Sequence, residues 1–161
     1  MAFTTGVNNY NTTKWLVNPT AGLGTHTTIA TALTAASSGD DIYIMPGTYT
    51  ENPTLKAGVN LIAYNTDSPS GQVIINGKCS ASFSGTCNLT GIQLQTNSDN
   101  LLSLTGANAT IVNLFNCYFN CLNNTGISST GSNSSAQVNI YTCSGGLGTT
   151  GIGYWSVTDV S

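Results

Sequence analysis

The chain has 161 residues, 40% of them hydrophobic and only 6% charged, with a net charge of -3. That length allows one domain with its own core, and the apolar fraction excludes a disordered chain. The basic residues are three lysines (Lys14, Lys56, Lys78) with no arginine, too few cations to displace phosphate counterions or hold an anionic bilayer, which excludes nucleic acid and membrane as partners.

Residues 1–26 read as a polar, irregular N-terminal arm, anchored by Trp15, Leu16 and Val17. Its first residues, MAFTTGVNNY, carry neither a basic region nor an apolar run, which is not the pattern of a secretory signal. No segment approaches the roughly 18 apolar residues of a membrane span. Residues 27–38 predict a short helix: Ile29, Ala32, Leu33 and Ala36 recur at i, i+3, i+4, i+7 and make one apolar face. Gly39 suits a left-handed cap beyond it. A helix this short is stable only when docked.

From residue 39 to 161 the text changes to short strands and turns. Asp41–Met45, Asn60–Tyr64, Gln72–Ile75 and Asn100–Leu104 are strand candidates, and no helical pattern follows any of them. The chain also repeats itself. Asn88–Leu94, Ile111–Cys117 and Gln137–Cys143 align so that Leu89, Val112 and Val138 share one column and Leu94, Cys117 and Cys143 another, at spacings of 23 and 26 residues. A period of that size built of short strands predicts a parallel solenoid, in which each coil buries its inner face only against its neighbours. The last coil, Gly151–Ser161, carries no helix, proline or charge cluster to block an open end.

The helix followed by GDDIYIMPGTYTENPTLKAGVNLIAYN and by coils of this length resembles the opening of a right-handed parallel β-helix of the pectin-lyase-like group. The resemblance rests on Thr27–Asn65, with support from the coils to Cys143. It implies an all-β fold, a right-handed parallel β-helix (β-solenoid) with a short N-terminal capping α-helix. With its neutral Ser/Thr/Asn/Gly surface, the chain is also similar to β-helix proteins of tailed bacteriophages. Among those a parallel homotrimer is the usual form, and end-to-end stacking is the alternative mode of self-association.

The lyases of that group use a catalytic arginine or lysine, and some add calcium on clustered aspartates. Here arginine is missing and the six acids are scattered, so that chemistry carries over to no residue. Glycoside hydrolysis needs two carboxylates about 5 to 10 Å apart. Asp67 and Asp99, in successive polar turns, are the weak candidates, and each also suits a turn aspartate bonding its own backbone. His26 reads as a surface or N-cap residue. The five cysteines are odd in number and contain no CxxC pair, so no metal site or cofactor is expected. Cys117 and Cys143 read as a column of small buried groups, with a strained disulfide between coils as the other reading. Cys79 and Cys87 bracket a loop that a bridge would close. Tyr118, Tyr141 and Trp155 are the candidate sugar platform, against a half-buried role for such aromatics.

These readings favour a non-catalytic virion protein, such as a phage tail fibre, tailspike or appendage, with a cell-surface glycan as partner. The alternatives are a carbohydrate-active enzyme of the same fold and an extracellular adhesin or filament subunit. An ice-binding surface would need TxT strings at the coil period, and Thr25–Thr27 and Thr48–Thr50 do not recur there.

Overall fold

The computed structural model describes residues 15–64, 73–96, 100–105, 109–121, 126–130 and 136–147. The chain winds as a parallel β-solenoid of about four turns. It starts with β1 (Leu16–Val17) and α1 (Ile29–Ala35), followed by β2 (Asp41–Ile44) and β3 (Gly47–Tyr49). The next coil holds β4 (Asn60–Ala63), β5 (Val73–Asn76) and β6 (Cys79–Ala81). Two similar coils follow: β7 (Gly85–Thr90), β8 (Gln93–Thr96) and β9 (Leu102–Thr105), then β10 (Thr110–Phe115), β11 (Tyr118–Cys121) and β12 (Ile127–Thr130). β13 (Gln137–Tyr141) and β14 (Ser144–Leu147) add a further rung.

Three of the coils pass through three sheets in turn, while β2–β3 and β13–β14 contribute to the first two. The first runs β1-β2-β4-β7-β10-β13, the second β3-β5-β8-β11-β14 and the third β6-β9-β12. Every pairing between these strands is parallel. In β2, β4, β5 and β10 burial alternates residue by residue, in keeping with the two-residue period of a strand. In β10, Val112 and Leu114 point inward and are fully buried while Ile111, Asn113 and Phe115 are only partly covered. Equivalent residues stack, so the core is a set of columns. Ile42, Leu61, Leu89, Leu114 and Ile140 form one, and Tyr49, Ile75, Leu94 and Phe119 another.

Those pairings correct the register expected for the first repeat block. Val112 lies between Cys87 and Val138, whereas Leu89 pairs with Leu114 and Leu94 with Phe119. The block sits two residues away from the sequence alignment. A slip of two returns every side chain to the same face, so Leu89 and Leu94 stay buried and the alternation alone could not detect the error. Cys117 and Cys143 do occupy equivalent places, just after the paired residues Phe115 and Tyr141.

The described part of the N-terminal arm begins at Trp15. Leu16 and Val17 pair with Tyr43 and Ile44 and extend the first sheet by one strand. The helix occupies Ile29–Ala35, with Thr28 as N-cap accepting from the Thr31 N–H. Its Ile29, Ala32 and Leu33 are buried and join the core cluster that includes Ile42 and Ile44. Full burial of Ile29 and Leu33 contributes roughly 1.5–3 kcal/mol each, the docking a seven-residue helix needs. Gly39 takes a positive φ of 96°. It lies in the turn after the C-cap, Ala36, and its N–H donates to the Gly58 carbonyl. No helix among the described residues is long and apolar enough to cross a membrane.

Candidate functional site

The outer face of the first sheet is built from the alternate residues of five strands. Asp41, Asn60, Asn88, Asn113 and Asn139 stand in one column. Their side chains form a continuous hydrogen-bonded ladder. Asn60 Nδ2 donates to Asp41 Oδ1, Asn88 to Asn60, Asn113 to Asn88 and Asn139 to Asn113, each at 2.8 Å. The links span 19, 28, 25 and 26 residues of chain. Every amide donates toward the N-terminal coil, so the first position needs only an acceptor, and the acceptor-only carboxylate of Asp41 fills it.

Two residues further along the same strands, on the same face, run Tyr43, Ile62, Thr90, Phe115 and Tyr141. Phe115 and Tyr141 stack with ring centroids 4.7 Å apart and planes within 9°. This is the strand spacing itself, so each ring presents one face to the other and their edges outward. The second sheet carries Gln93, Gln95 and Asn120, where Gln95 Oε1 accepts from Gln93 Nε2 at 2.9 Å and from Asn120 Nδ2 at 3.3 Å. The third carries an outer column of Ser80, Ser103 and Ser128, and Ser128 Oγ accepts from Asn100 Nδ2. All three outer faces thus present hydrogen-bonding groups, uncharged except for Asp41 in the columns described.

Of the residues singled out from sequence, Tyr141 lies in that aromatic stack. Tyr118 opens β11 between Gln93 and Ser144 on the second sheet, half-buried. Asp67, Asp99 and Trp155 lie outside the described residues. His26 is not the helix cap: it bridges Val17 in parallel, and its ring rests 5.4 Å from that of Trp15. The asparagine ladder is a feature that the reading of separate motifs did not anticipate. Its signal is a dipeptide of Asn or Asp followed by Ile or Leu at Asp41–Ile42, Asn60–Leu61, Asn88–Leu89, Asn113–Leu114 and Asn139–Ile140.

The five cysteines are free thiols. Cys79 and Cys87 are both inside the core, and no bridge closes the loop between them. Burial pushes each thiol up to about 12, with a smaller contribution at Cys79 from neighbouring Cys87 and Glu51. Among the described residues no three His, Cys, Asp or Glu side chains gather as metal ligands. Comparison with known protein families, with curated proteins and with solved structures returns no match to this chain.

Proposed function

We propose that this protein is a non-catalytic structural and recognition solenoid, a virion appendage of the tail-fibre or tailspike kind within the pectin-lyase-like β-helix group, whose outer surface binds a neutral cell-surface glycan. The asparagine ladder carries this reading. Asn60, Asn88 and Asn113 each use one N–H and one lone pair within the ladder, which leaves one donor and one acceptor at each of these rungs. Rungs repeat at the strand spacing of about 4.8 Å. A sugar hydroxyl is likewise donor and acceptor together, so a hydroxyl-rich polymer matches such a row without any charge. The edges of Phe115 and Tyr141 add an apolar border beside it.

A virion or other extracellular location fits a surface with so few charges, and self-association as a homotrimer or end to end belongs to the same reading. A glycan array screened with the intact chain tests recognition. The expected result is binding to neutral glycans that weakens when Asn88 and Asn113 are both replaced by Thr. Light scattering tests the assembly. A reducing-sugar assay on the bound glycans separates this reading from a carbohydrate-active enzyme: release of reducing ends, abolished by Asp67→Asn or Asp99→Asn, overturns it.

A further inference from the structure

Cys117 and Cys143 occupy the same corner of successive coils, just after Asn116 and Thr142, which share a φ of 51°. Their backbones are held one rung apart by the hydrogen bonds Asn116 N–H to Tyr141 O (3.0 Å) and Ser144 N–H to Cys117 O (3.0 Å). The Cys117 N–H donates to Cys143 Sγ, 3.3 Å away. The pair is asymmetric. Cys117 is fully buried, whereas Cys143 is partly exposed.

We infer that Cys143 and Cys117 form a thiol–disulfide exchange site, with Cys143 as the attacking sulfur and Cys117 as the resolving one, for a small-molecule disulfide. The chemistry balances in two steps. The Cys143 thiolate attacks one sulfur of the small disulfide, the S–S bond breaks, and one small thiolate leaves. Cys117 then loses its proton to solvent and attacks Cys143 Sγ, which expels the second small thiolate and leaves a Cys117–Cys143 bond. The protein gives up two electrons and the small disulfide takes them.

Several features favour this division of roles. Hydrogen bonding from Cys117, its N–H to Cys143 Sγ included, outweighs burial and lowers Cys143 below an ordinary thiol, which favours its thiolate. The same pairing together with burial pushes Cys117 up, as suits a sulfur that acts second. Adjacent parallel strands place Cα atoms about 4.8 Å apart, inside the range a disulfide accepts. A stacked column still holds the two Cβ atoms wider than a relaxed bridge prefers, so the bond is reducible. Cys79, Cys87 and Cys121 are wholly buried and serve as internal controls.

The test treats the folded chain with an aromatic disulfide that reports each thiolate it releases. About two equivalents should appear in one fast phase. Peptide mapping should then show Cys117 joined to Cys143 with no reagent attached, reversible by a monothiol. Cys143→Ser should abolish the fast phase. Cys117→Ser should release about one equivalent and retain the reagent on Cys143 as a stable mixed disulfide. Wild-type protein that holds the reagent on Cys143, or reacts first at any of the other three thiols, overturns the assignment; mapping of the wild type decides this even if a variant folds poorly.

Discussion

Glu51 and Lys56, five residues apart on the loop after β3, hold opposite ends of the same helix. The Glu51 carboxylate accepts from the Ile29 N–H at 2.9 Å and the Ala30 N–H at 2.8 Å, while Lys56 Nζ donates to the Ala36 carbonyl. The carboxylate sits at the positive end of the helix dipole and the ammonium at the negative end. The first coil thereby adds partners at both helix ends beyond the Thr28 cap, satisfying end groups that the helix leaves open. Glu51→Ala removes two acceptors from the first turn and should cost about 1–2 kcal/mol. Lys56→Met should cost less, about 0.5 kcal/mol. Urea unfolding gives the totals, and amide exchange should quicken at Ile29 and Ala30 in the first variant only.

Alkaline pH should weaken the fold before neutral or mildly acid pH does. Burial raises the Cys79 and Cys87 thiols from an ordinary 9.0 to about 12. Burial, then the nearby Glu51 charge, raises Tyr49 from 10.0 to about 12. A raised acid keeps its proton longer in the folded state. Below the unfolded values both states are protonated and the stability is complete. It falls as pH rises beyond them, by at most about 1.4 kcal/mol per pH unit for each group, until the folded values are passed. Denaturant midpoints followed upward from about pH 8 should decline. The decline should be shallower in Cys79→Ala. A flat profile to about pH 11 would exclude these groups as the cause.

The solenoid was legible from sequence because parallel stacking repeats residue types. Leu114 and Val112 on β10, and the helix face of Ile29, Leu33 and Ala36, carry unmistakable periods. The register of Leu89 and Leu94 was not legible, since a two-residue slip preserves their burial. The coils themselves vary in length, with ladder steps of 19, 28, 25 and 26 residues, so no single period aligns them. Separately, each asparagine reads as a turn residue; only the recurring Asn–Leu or Asn–Ile pair reveals the column. Glu51 was invisible as a cap because it lies 22 residues from Ile29, far outside any local capping pattern. Leu16 and Val17 read from sequence as an anchor but not as a strand, because a two-residue strand has no period to detect.

The corner between the first and second sheets needs a left-handed residue in each of three coils. Gly91, Asn116 and Thr142 fill it with φ of 71°, 51° and 51°. Glycine adopts this region freely and asparagine tolerates it, but a β-branched threonine is strained there. Thr142 is exposed, so its side chain has little packing to lose. Thr142→Gly should therefore raise stability by about 1 kcal/mol. Gly91→Val, which places a β-branched side chain at the buried counterpart, should lower it by more than 1–2 kcal/mol, roughly the left-handed penalty alone. Calorimetric melting of the two variants provides the comparison, and an unchanged Thr142→Gly variant would show that the corner holds no strain.

The ladder has a direction, and two substitutions of opposite sense expose it. Asp41 only accepts, from Asn60 Nδ2. Asp41→Asn keeps an amide oxygen in the same place, so its cost should stay within about 0.5 kcal/mol, the range of surface changes. Asn113 both donates to Asn88 Oδ1 and accepts from Asn139 Nδ2. Asn113→Asp keeps the acceptor but loses the donor, and sets a carboxylate oxygen against the Asn88 carbonyl oxygen. With the site half-buried, this should cost about 1–3 kcal/mol at neutral pH. Protonation supplies the missing O–H donor, so the deficit should shrink as pH falls through roughly 4, the ordinary aspartate range. Asn113→Ala breaks both links and should show no such recovery. Thermal melts of the three variants across that range read out the ladder: equal losses for Asp41→Asn and Asn113→Asp, or a loss in Asn113→Asp that ignores pH, would mean that the amides do not all donate toward the N-terminal coil.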